Sequence, residues 1–192
     1  TLDGNTSGTI DATAITTLTG AAADLITAYA SAGISNLGDE AITLSDTSLS
    51  VSVLNTLDGN TSGTIDATAI TTLTGAAADL NTAYDSAGIS NLGDEAITLS
   101  DTSLTAAVLN TLDGNTSGTI DATAITTLTG AAADLNTAYD SAGISNLGDE
   151  AITLSDTSLT AAVLNTLDGN TDRKSTRLNS SHRCISYAVF CL

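Results

Sequence analysis

Residues 1–171 of this 192-residue chain contain no lysine, arginine, histidine, cysteine, proline, methionine, tryptophan or phenylalanine. Nucleophilic triads, thiolates, Schiff bases and cationic phosphate clamps therefore have no side chains to form them. The absence of cysteine from this region also excludes a disulfide framework there. We expect no catalytic residues and no enzymatic activity.

The same region holds all but one of the 22 acidic residues of the chain and none of the four basic ones. Nucleic acids and anionic membrane surfaces are bound through basic patches, so we expect neither as a partner. No apolar run approaches the roughly 18 residues that a bilayer crossing requires, so we expect no membrane insertion. Cations are the natural counterions of such a chain.

A long internal repeat organises the sequence. The units are residues 1–55, 56–110 and 111–165, and a truncated fourth unit covers 166–171. The second and third units are identical, whereas the first differs from them at five positions. Because the chain opens in the middle of the repeating pattern, we interpret it as a fragment of a longer array.

Each unit contains two halves that resemble one another, and each half is predicted to hold one strand and one helix. In the second unit, the predicted strands are 64–74 and 95–101 and the predicted helices are 75–88 and 102–112. Ile97 and Leu99 alternate on one face of their strand and are expected to point inward. Asp101 or Thr102 is predicted to cap the start of the second helix.

The matching helical segments begin at Ala77, Ala106 and Ala132, and the two spacings between them are each the length of one coil of an α/β solenoid. A strand–helix coil of this size cannot bury its own core, so it must stack on the neighbouring repeats of the same chain. We therefore predict an α/β repeat solenoid of stacked strand–helix coils, with two coils in each repeated unit. The alternative is a string of separate, small β-rich modules, one for each unit.

The segment DGNTSGTIDATA, residues 58–69, spaces its oxygen atoms as a calcium-binding loop does, with Gly63 at the sharp turn. The position of the bidentate acid is taken by Ala69, so the loop is incomplete. The candidate weak calcium ligands are Asp3, Asn5, Ser7, Thr9, Asp11, Asp58, Asn60, Ser62, Thr64, Asp66, Asp113, Asn115, Ser117, Thr119 and Asp121. The alternative is a turn rich in Asp, Asn and Gly that joins a helix to a strand. Calcium is the only cofactor that the sequence suggests.

Two carboxylates stand side by side at Asp94 and Glu95. Such a pair can supply a general acid and a general base. The position before a predicted strand favours a solvated turn instead, and we expect both side chains to be exposed.

The repeat TLTGAAADLNTAYDSAGISNLGDEAITLSDTSLTAAVLNTLDGNTSGTIDA resembles the long acidic arrays of giant cell-surface or secreted proteins of marine bacteria, notably picocyanobacteria. The resemblance covers residues 1–171 and is carried by overall texture. It implies an extracellular location, a structural or adhesive role as stalk or spacer, and cell-surface or extracellular-matrix components as partners. A calcium-responsive interaction module is the alternative function.

The final segment, residues 172–192, differs from the rest and holds every basic residue, the histidine and both cysteines. Back-translated in one frame, DRKSTRLNSSH and ISYAVFCL match the two parts of a standard short-read sequencing adapter. Arg183 and Cys184, between them, occupy the two codons of a six-base sample index. We interpret 172–192 as a translated adapter and expect it to be disordered. The alternative is a genuine basic C-terminal segment.

A single long sequencing read through the native locus tests this interpretation. We expect the repeats to run on past Thr171 without the DRKSTRLNSSH segment. A genomic reading frame that ends in the segment 172–192 would contradict the adapter interpretation and restore the histidine and cysteines as native chemistry.

Overall fold

The computed structural model describes the backbone of residues 3–179 and the side chains of residues 4–171. Within this part of the chain, six α-helices alternate with 14 short β-strands. The helices are α1 (Ala22–Ala30), α2 (Val51–Asp58), α3 (Ala77–Asp85), α4 (Ala106–Asn115), α5 (Ala132–Asp140) and α6 (Ala161–Asn179). The strands are β1 (Ile10–Asp11), β2 (Thr17–Gly20), β3 (Ile34–Ser35), β4 (Ala41–Leu44), β5 (Ser48–Ser50), β6 (Ile65–Asp66), β7 (Thr72–Gly75), β8 (Ile89–Ser90), β9 (Ala96–Leu99), β10 (Ser103–Thr105), β11 (Ile120–Asp121), β12 (Thr127–Gly130), β13 (Ile144–Ser145) and β14 (Ala151–Leu154).

Each helix opens one turn of a solenoid, and turns of two kinds alternate. A long turn such as residues 77–105 consists of one helix and three strands, α3 followed by β8, β9 and β10. A short turn such as residues 106–131 consists of one helix and two strands, α4 followed by β11 and β12. Successive helices contact one another from α1 to α6. The predicted solenoid of stacked strand–helix coils, with helices that begin at Ala77, Ala106 and Ala132, is confirmed.

All strand pairs in the described part of the chain are parallel, and they form four sheets. The sheets cross the boundaries between the repeated units. For example, β4 of the first unit pairs with β6 of the second, with Ile42 opposite Ile65. The alternative prediction of separate β-rich modules is therefore wrong, because the backbone hydrogen bonds of one unit are completed by the next.

The strands of each sheet shift in position around the solenoid from one turn to the next, whereas the helices are stacked in one row. In the sheet, Thr72 pairs with Ala96 and Ile97 pairs with Ile120. In both pairs, the number of residues between the partners is smaller than the number of residues in either kind of turn, 77–105 or 106–131. The paired positions are therefore less than one full turn apart along the chain. The strands of one sheet consequently come from successive positions around the turn, in the order β5, β7, β9, β11 and β13. The next sheet begins beside this one.

One continuous hydrophobic core fills the space between the helices and the sheets. Ile97 and Leu99 of β9 are buried while their neighbours on the strand are exposed, which confirms the predicted alternation. Helices α1, α3, α4 and α5 each bury an alanine at their first residue, and α2 buries Val51 there. These helices also bury leucine further along, such as Leu109 and Leu112 of α4, which are fully buried. Full burial of a leucine contributes about 1.5–3 kcal/mol relative to exposure, so these rows account for much of the stacking energy.

The strand predicted over 64–74 is divided in two. Residues 67–70 form a turn, closed by a hydrogen bond of 2.9 Å from the Ile70 amide to the Ala67 carbonyl. The turn separates β6 from β7, which belong to different sheets. The sequence pattern predicted a single strand because apolar residues recur along the segment. Four of them, Ile65, Ala67, Ile70 and Leu73, are buried in the structure.

The helix predicted over 102–112 begins four residues later, at Ala106, because residues 103–105 pair with β12 as strand β10. Its cap is therefore neither Asp101 nor Thr102. Thr105 caps it instead, accepting a hydrogen bond of 3.4 Å from the Val108 amide. The helix predicted over 75–88 is also shorter in the structure, where it corresponds to α3. Its first predicted residue belongs to the end of β7, and its last predicted residues belong to the loop before β8.

The expectation that residues 172–192 are disordered stays a prediction. The backbone of α6 continues through 172–179, whereas α4 ends at the equivalent of Asn170. The reason lies in composition, since DRKSTRLN replaces the Ser-Gly-Thr-Ile that turns the chain after α4, and Arg, Lys and Leu favour helix. Residues 180–192 lie outside the described part of the chain. No helix among residues 3–179 combines the length and apolar character needed to span a bilayer.

Helices α1, α3 and α5 receive their N-terminal caps from the end of the turn that each of them opens. Each is preceded by an alanine whose side chain cannot cap. The Asp101 carboxylate, from the end of the same turn, instead accepts a hydrogen bond of 2.8 Å from the Ala77 amide. The same bond joins Asp46 to Ala22 and Asp156 to Ala132. A negative charge at this end also favours the helix dipole, so the aspartate both caps the helix and ties it to the strands beside the next turn.

Replacing the capping aspartate, Asp101→Ala, should lower the free energy of unfolding by about 1–2 kcal/mol, the usual cost of a lost cap. The matched control is Asp85→Ala, which removes an equal charge from the exposed last residue of α3, where the first unit naturally carries Ala30. Urea unfolding followed by far-UV circular dichroism measures both variants. Equal midpoints for the two would show that the cap contributes nothing.

Candidate functional site

Each unit buries one glutamate. Glu40 and Glu95 are 0% exposed and Glu150 is 8% exposed. The expectation that Asp94 and Glu95 form a solvated pair holds for Asp94, which is exposed, and is wrong for Glu95. Glu95 lies two residues before Ile97, so the alternation that buries Ile97 and Leu99 turns Glu95 inward as well. Extending the period-two pattern by one step would have found it.

The buried glutamate site, defined here as Glu95 with Tyr84 and Gly93, is a hydrogen-bonded tether. Glu95 Oε2 accepts 3.0 Å from the Tyr84 hydroxyl and 2.9 Å from the Gly93 amide. The first and third units repeat the arrangement at Glu40 and Glu150, with distances between 2.8 and 3.1 Å. The tether fixes the loop after α3 to the end of that helix.

Burial and hydrogen bonding shift the pKa of the buried glutamate in opposite directions. Burial works to raise the pKa of Glu40, but bonds from backbone amides, chiefly that of Gly38, and from the Tyr29 hydroxyl lower the pKa overall. Burial raises the pKa of Tyr84 well above its ordinary value, and the adjacent Glu95 charge raises it further. The tyrosine therefore remains a hydrogen-bond donor, and the glutamate at Glu40 remains an ionised acceptor near neutral pH.

The second carboxylate oxygen of each buried glutamate, Oε1, has no hydrogen-bond partner among the described residues. An unsatisfied buried acceptor costs about 1–3 kcal/mol. Residues 4–171 contain no lysine or arginine that could offset the charge. Within the described residues, only hydrogen bonds stabilise the buried carboxylate. The cost of the unpaired oxygen offsets part of the stability that those hydrogen bonds contribute.

A glycine of the next turn packs directly against the backbone of Glu40 and another against that of Glu95. A Cβ on Gly118 would overlap the Glu95 carbonyl oxygen, and a Cβ on Gly63 would overlap the Glu40 carbonyl oxygen. The first of these glycines donates 2.9 Å to the Thr116 hydroxyl, which keeps its loop tight. The close approach explains why glycine occupies this position, which the sequence assigned to the sharp turn of a calcium loop.

The carboxylates predicted to bind calcium are engaged by residues of the next turn. Asp58 Oδ2 accepts 2.8 Å from the Ser86 hydroxyl, and Asp113 makes the same bond to Ser141. Asp66 Oδ1 accepts from the amide of Thr68 at 3.1 Å and from the Asn91 side chain at 2.8 Å. Asp121 and Asp11 make equivalent bonds to their own threonine and asparagine partners.

Five of the remaining predicted ligands contact the preceding turn instead, whereas the Asn60 amide donates 3.0 Å to the Leu57 carbonyl of its own turn. The Thr64 carbonyl accepts 2.8 Å from the Ile42 amide, and Ser62 donates 3.2 Å to the Gly38 carbonyl. Thr119 and Ser117 repeat these contacts in the third unit. Asn115 donates to Asn81, whereas Asn5, Ser7 and Thr9 are exposed and the Asp3 side chain lies outside the described range.

Most of the predicted calcium ligands in the second and third units therefore divide between two neighbours, the turn before and the turn after. This pattern favours the alternative prediction of a polar turn whose side chains satisfy local groups. Calcium binding stays a prediction. Among the described side chains, those of residues 4–171, no cluster of three or more His, Cys, Asp or Glu is arranged to hold a metal ion.

Hydrogen bonding lowers the pKa of the loop aspartates. Bonds from Thr13 and Asn36 bring the pKa of Asp11 to about 2. Bonds from the corresponding threonines and asparagines lower the pKa of Asp66 and Asp121. The asparagine that makes this bond has a positive φ of 61–63° in all three units, a conformation that asparagine adopts more readily than most residues.

Comparison with protein-family models, with curated proteins and with solved structures gave no match.

The contact between Gly118 and the buried glutamate can be tested with two glycine variants. Gly118→Ala should lower the free energy of unfolding by about 2 kcal/mol or more, because the added Cβ forces the Glu95 backbone to move. Gly114→Ala is the matched control, since no heavy atom beyond its chain neighbours and the nearby backbone of α4 lies within 4 Å of the position its Cβ would take.

The control should raise stability by about 0.5–1 kcal/mol, because alanine favours helix over glycine. Thermal and urea unfolding of both variants provide the measurement. If Gly118→Ala is as stable as the parent chain, the close packing described for the buried glutamate site is incorrect.

Proposed function

We propose that this chain is part of an extracellular structural array that acts as a stalk or spacer on a cell surface. The observation that carries the proposal is the continuity of the sheets and of the helix row across unit boundaries. Because each added unit continues the same rows, the number of units sets the length of the body. A spacer requires this relation between copy number and length.

Side-chain hydrogen bonds between turns support the proposal. Asn55 and Asn110, on the helices of short turns, donate 3.0 and 2.9 Å to carbonyls of Asp79 and Asp134 on the next helices. On the strand side, Thr71 donates 3.0 Å to the Thr47 carbonyl of the turn before. These bonds join consecutive turns on both sides of the core, so the stack resists bending and separation.

The acidic surface suits the same role. Asp39, Asp94 and Asp149 are exposed at corresponding positions of the three units, and Asp24, Asp79, Asp85 and Asp140 are exposed as well. Like charges repel neighbouring arrays and keep a crowded layer of stalks dispersed, an effect that weakens as salt increases.

The length of the body should grow steadily with the number of units. Parallel strands lie about 4.8 Å apart and packed helices about 8–10 Å apart, so two turns add roughly 10 Å on the strand side and 16–20 Å on the helix side. Versions of the chain with one and two further copies of residues 56–110 should gain about 10–20 Å in maximum dimension per copy in small-angle X-ray scattering.

Two outcomes would contradict the proposal. A maximum dimension that does not change with copy number would exclude a spacer, and scattering typical of a flexible coil would exclude a stiff one. Location is tested separately, by labelling intact cells of the source organism with an antibody raised against the repeat. Labelling only after permeabilisation would contradict the cell-surface part of the proposal.

A further inference from the structure

The buried glutamate of the first unit also acts on the next turn of the solenoid. The Gly38 amide donates 2.9 Å to Glu40 Oε2, while the Gly38 carbonyl accepts 2.7 Å from the Ser62 amide and 3.2 Å from the Ser62 hydroxyl. The Thr61 hydroxyl donates 3.1 Å to the Glu40 carbonyl, against which Gly63 also packs. We call residues 38–40 together with residues 61–63 a turn junction, because the glutamate fixes the loop that the next turn contacts.

The same junction recurs in the second unit, between the turn 77–105 and the turn 106–131. Gly93 donates 2.9 Å to Glu95 Oε2, and its carbonyl accepts 2.7 Å from the Ser117 amide and 3.0 Å from the Ser117 hydroxyl. Gly118 packs against the Glu95 carbonyl as Gly63 packs against that of Glu40. The two junctions therefore have one design, and Glu40 serves below as the example.

The junction fits an ionised carboxylate and not a protonated one. Glu40 Oε2 already accepts hydrogen bonds from the Tyr29 hydroxyl and the Gly38 amide, and Glu40 Oε1 has no partner among the described residues. A proton on Oε1 would be a buried donor without an acceptor, and a proton on Oε2 would compete with one of the two existing donors. Proton uptake therefore costs a buried hydrogen bond as long as the loop stays closed.

The groups around Glu40 do not replace its charge with another. Helix α1 contributes Tyr29, the loop contributes the exposed Asp39, and residues 61–63 of the next turn are uncharged. Residues 1–171 contain no lysine, arginine or histidine that could pair with the carboxylate. Burial raises the pKa of Tyr29, so its hydroxyl stays protonated and continues to donate. Protonation of Glu40 is thus the charge change that the closed junction cannot accommodate.

We infer that the buried glutamates make the turn junctions sensitive to acid. When Glu40 takes up a proton, its loop opens to water, and the Ser62 hydrogen bonds and the packing of Gly63 are lost with it. The same event at Glu95 releases Ser117 and Gly118. The stack is held closed at neutral pH and is loosened by acid between one turn and the next.

The direction of the pH dependence follows from the folded pKa of Glu40. Burial works to raise this pKa, but backbone amides, chiefly that of Gly38, lower it overall. A carboxyl group with a lowered folded pKa contributes stability that is present above its unfolded pKa, about 4.3 for glutamate, and that is lost as the pH falls through the folded value. Asp11 and Asp66 also have lowered pKa values, so the share of Glu40 must be measured as a difference between variants.

Urea unfolding of the full chain from about pH 7 to about pH 3, followed by far-UV circular dichroism, tests the inference. Glu40→Gln has the shape of the protonated side chain and cannot ionise. Its urea midpoint should lie below that of the parent chain at neutral pH, and the difference should shrink toward acid pH as Glu40 of the parent is protonated. On unfolding, the variant should take up as much as about one proton fewer than the parent.

Asp39→Asn is the matched control, because it removes an equal charge from the exposed neighbour of Glu40. Its urea midpoint should follow that of the parent chain across the pH range. Tyr29→Phe provides a second variant that keeps the charge but removes one of its donors. The ionised form is then less favoured, so the midpoint of acid unfolding should move upward by about 0.5–1 pH unit. This variant decides the question if Glu40→Gln does not fold.

A double-mutant cycle tests whether the effect reaches the next turn. Ser62→Ala removes the hydroxyl that bonds the Gly38 carbonyl. If loss of the charge opens the junction, Ser62→Ala should cost less stability in the Glu40→Gln background than in the parent chain at neutral pH.

Four results would each overturn the inference: a Glu40→Gln midpoint that equals the parent's at neutral pH or differs from it equally at every pH, an equal pH-dependent loss in Asp39→Asn, an unchanged acid midpoint in Tyr29→Phe, or additive effects in the cycle with Ser62→Ala. The spacer proposal does not depend on the outcome, because the length of the stack at neutral pH is set by the number of turns in either case.

Discussion

The stacking of one turn on the next is the constraint on which the rest of this structure depends. The strands are very short, such as Ile65–Asp66 and Thr72–Gly75, and strands of this length are not stable as isolated pairs. Each forms because partners on the neighbouring turns complete its hydrogen bonds. A single turn also leaves residues such as Leu109 and Leu112 uncovered on its two flat sides, so neither its sheet nor its core exists without its neighbours.

Carboxylates take part in this stacking without any cation from the repeat itself. Asp101 caps the helix that opens its turn, Asp58 accepts from Ser86 of the next turn, and Asp66 accepts from Asn91. Because residues 1–171 contain no lysine or arginine, these carboxylates accept hydrogen bonds from amides and hydroxyls of the repeat instead of pairing with basic side chains. These bonds are local in space but distant in sequence, which is why the aspartates recur with the period of the repeat.

The sequence predicted those parts of the fold that depend on its own period. The helix spacing and the inward direction of Ile97 and Leu99 follow from repeated patterns within one unit. Strand β10 and the Asp101 cap were missed because both are decided by residues far away along the chain. Glu95 was placed in solvent because charged residues are rarely fully buried, and its tether to Tyr84 depends on how the loop folds back. The metal prediction rested on oxygen spacing along the chain, which does not determine the turn toward which each oxygen points.

The differences between the first unit and the others show how one side chain acts across a turn. In the second unit, Asn81 of α3 accepts 3.1 Å from Asn115, and α4 extends to include that residue. In the first unit Ile26 replaces the asparagine and offers no amide, and α2 ends at Asp58. The last residues of α4 are thus stabilised by a contact with the helix before it. A polar side chain on α3 supports the end of the next helix, so the stacking that holds the turns together also shapes the elements within them.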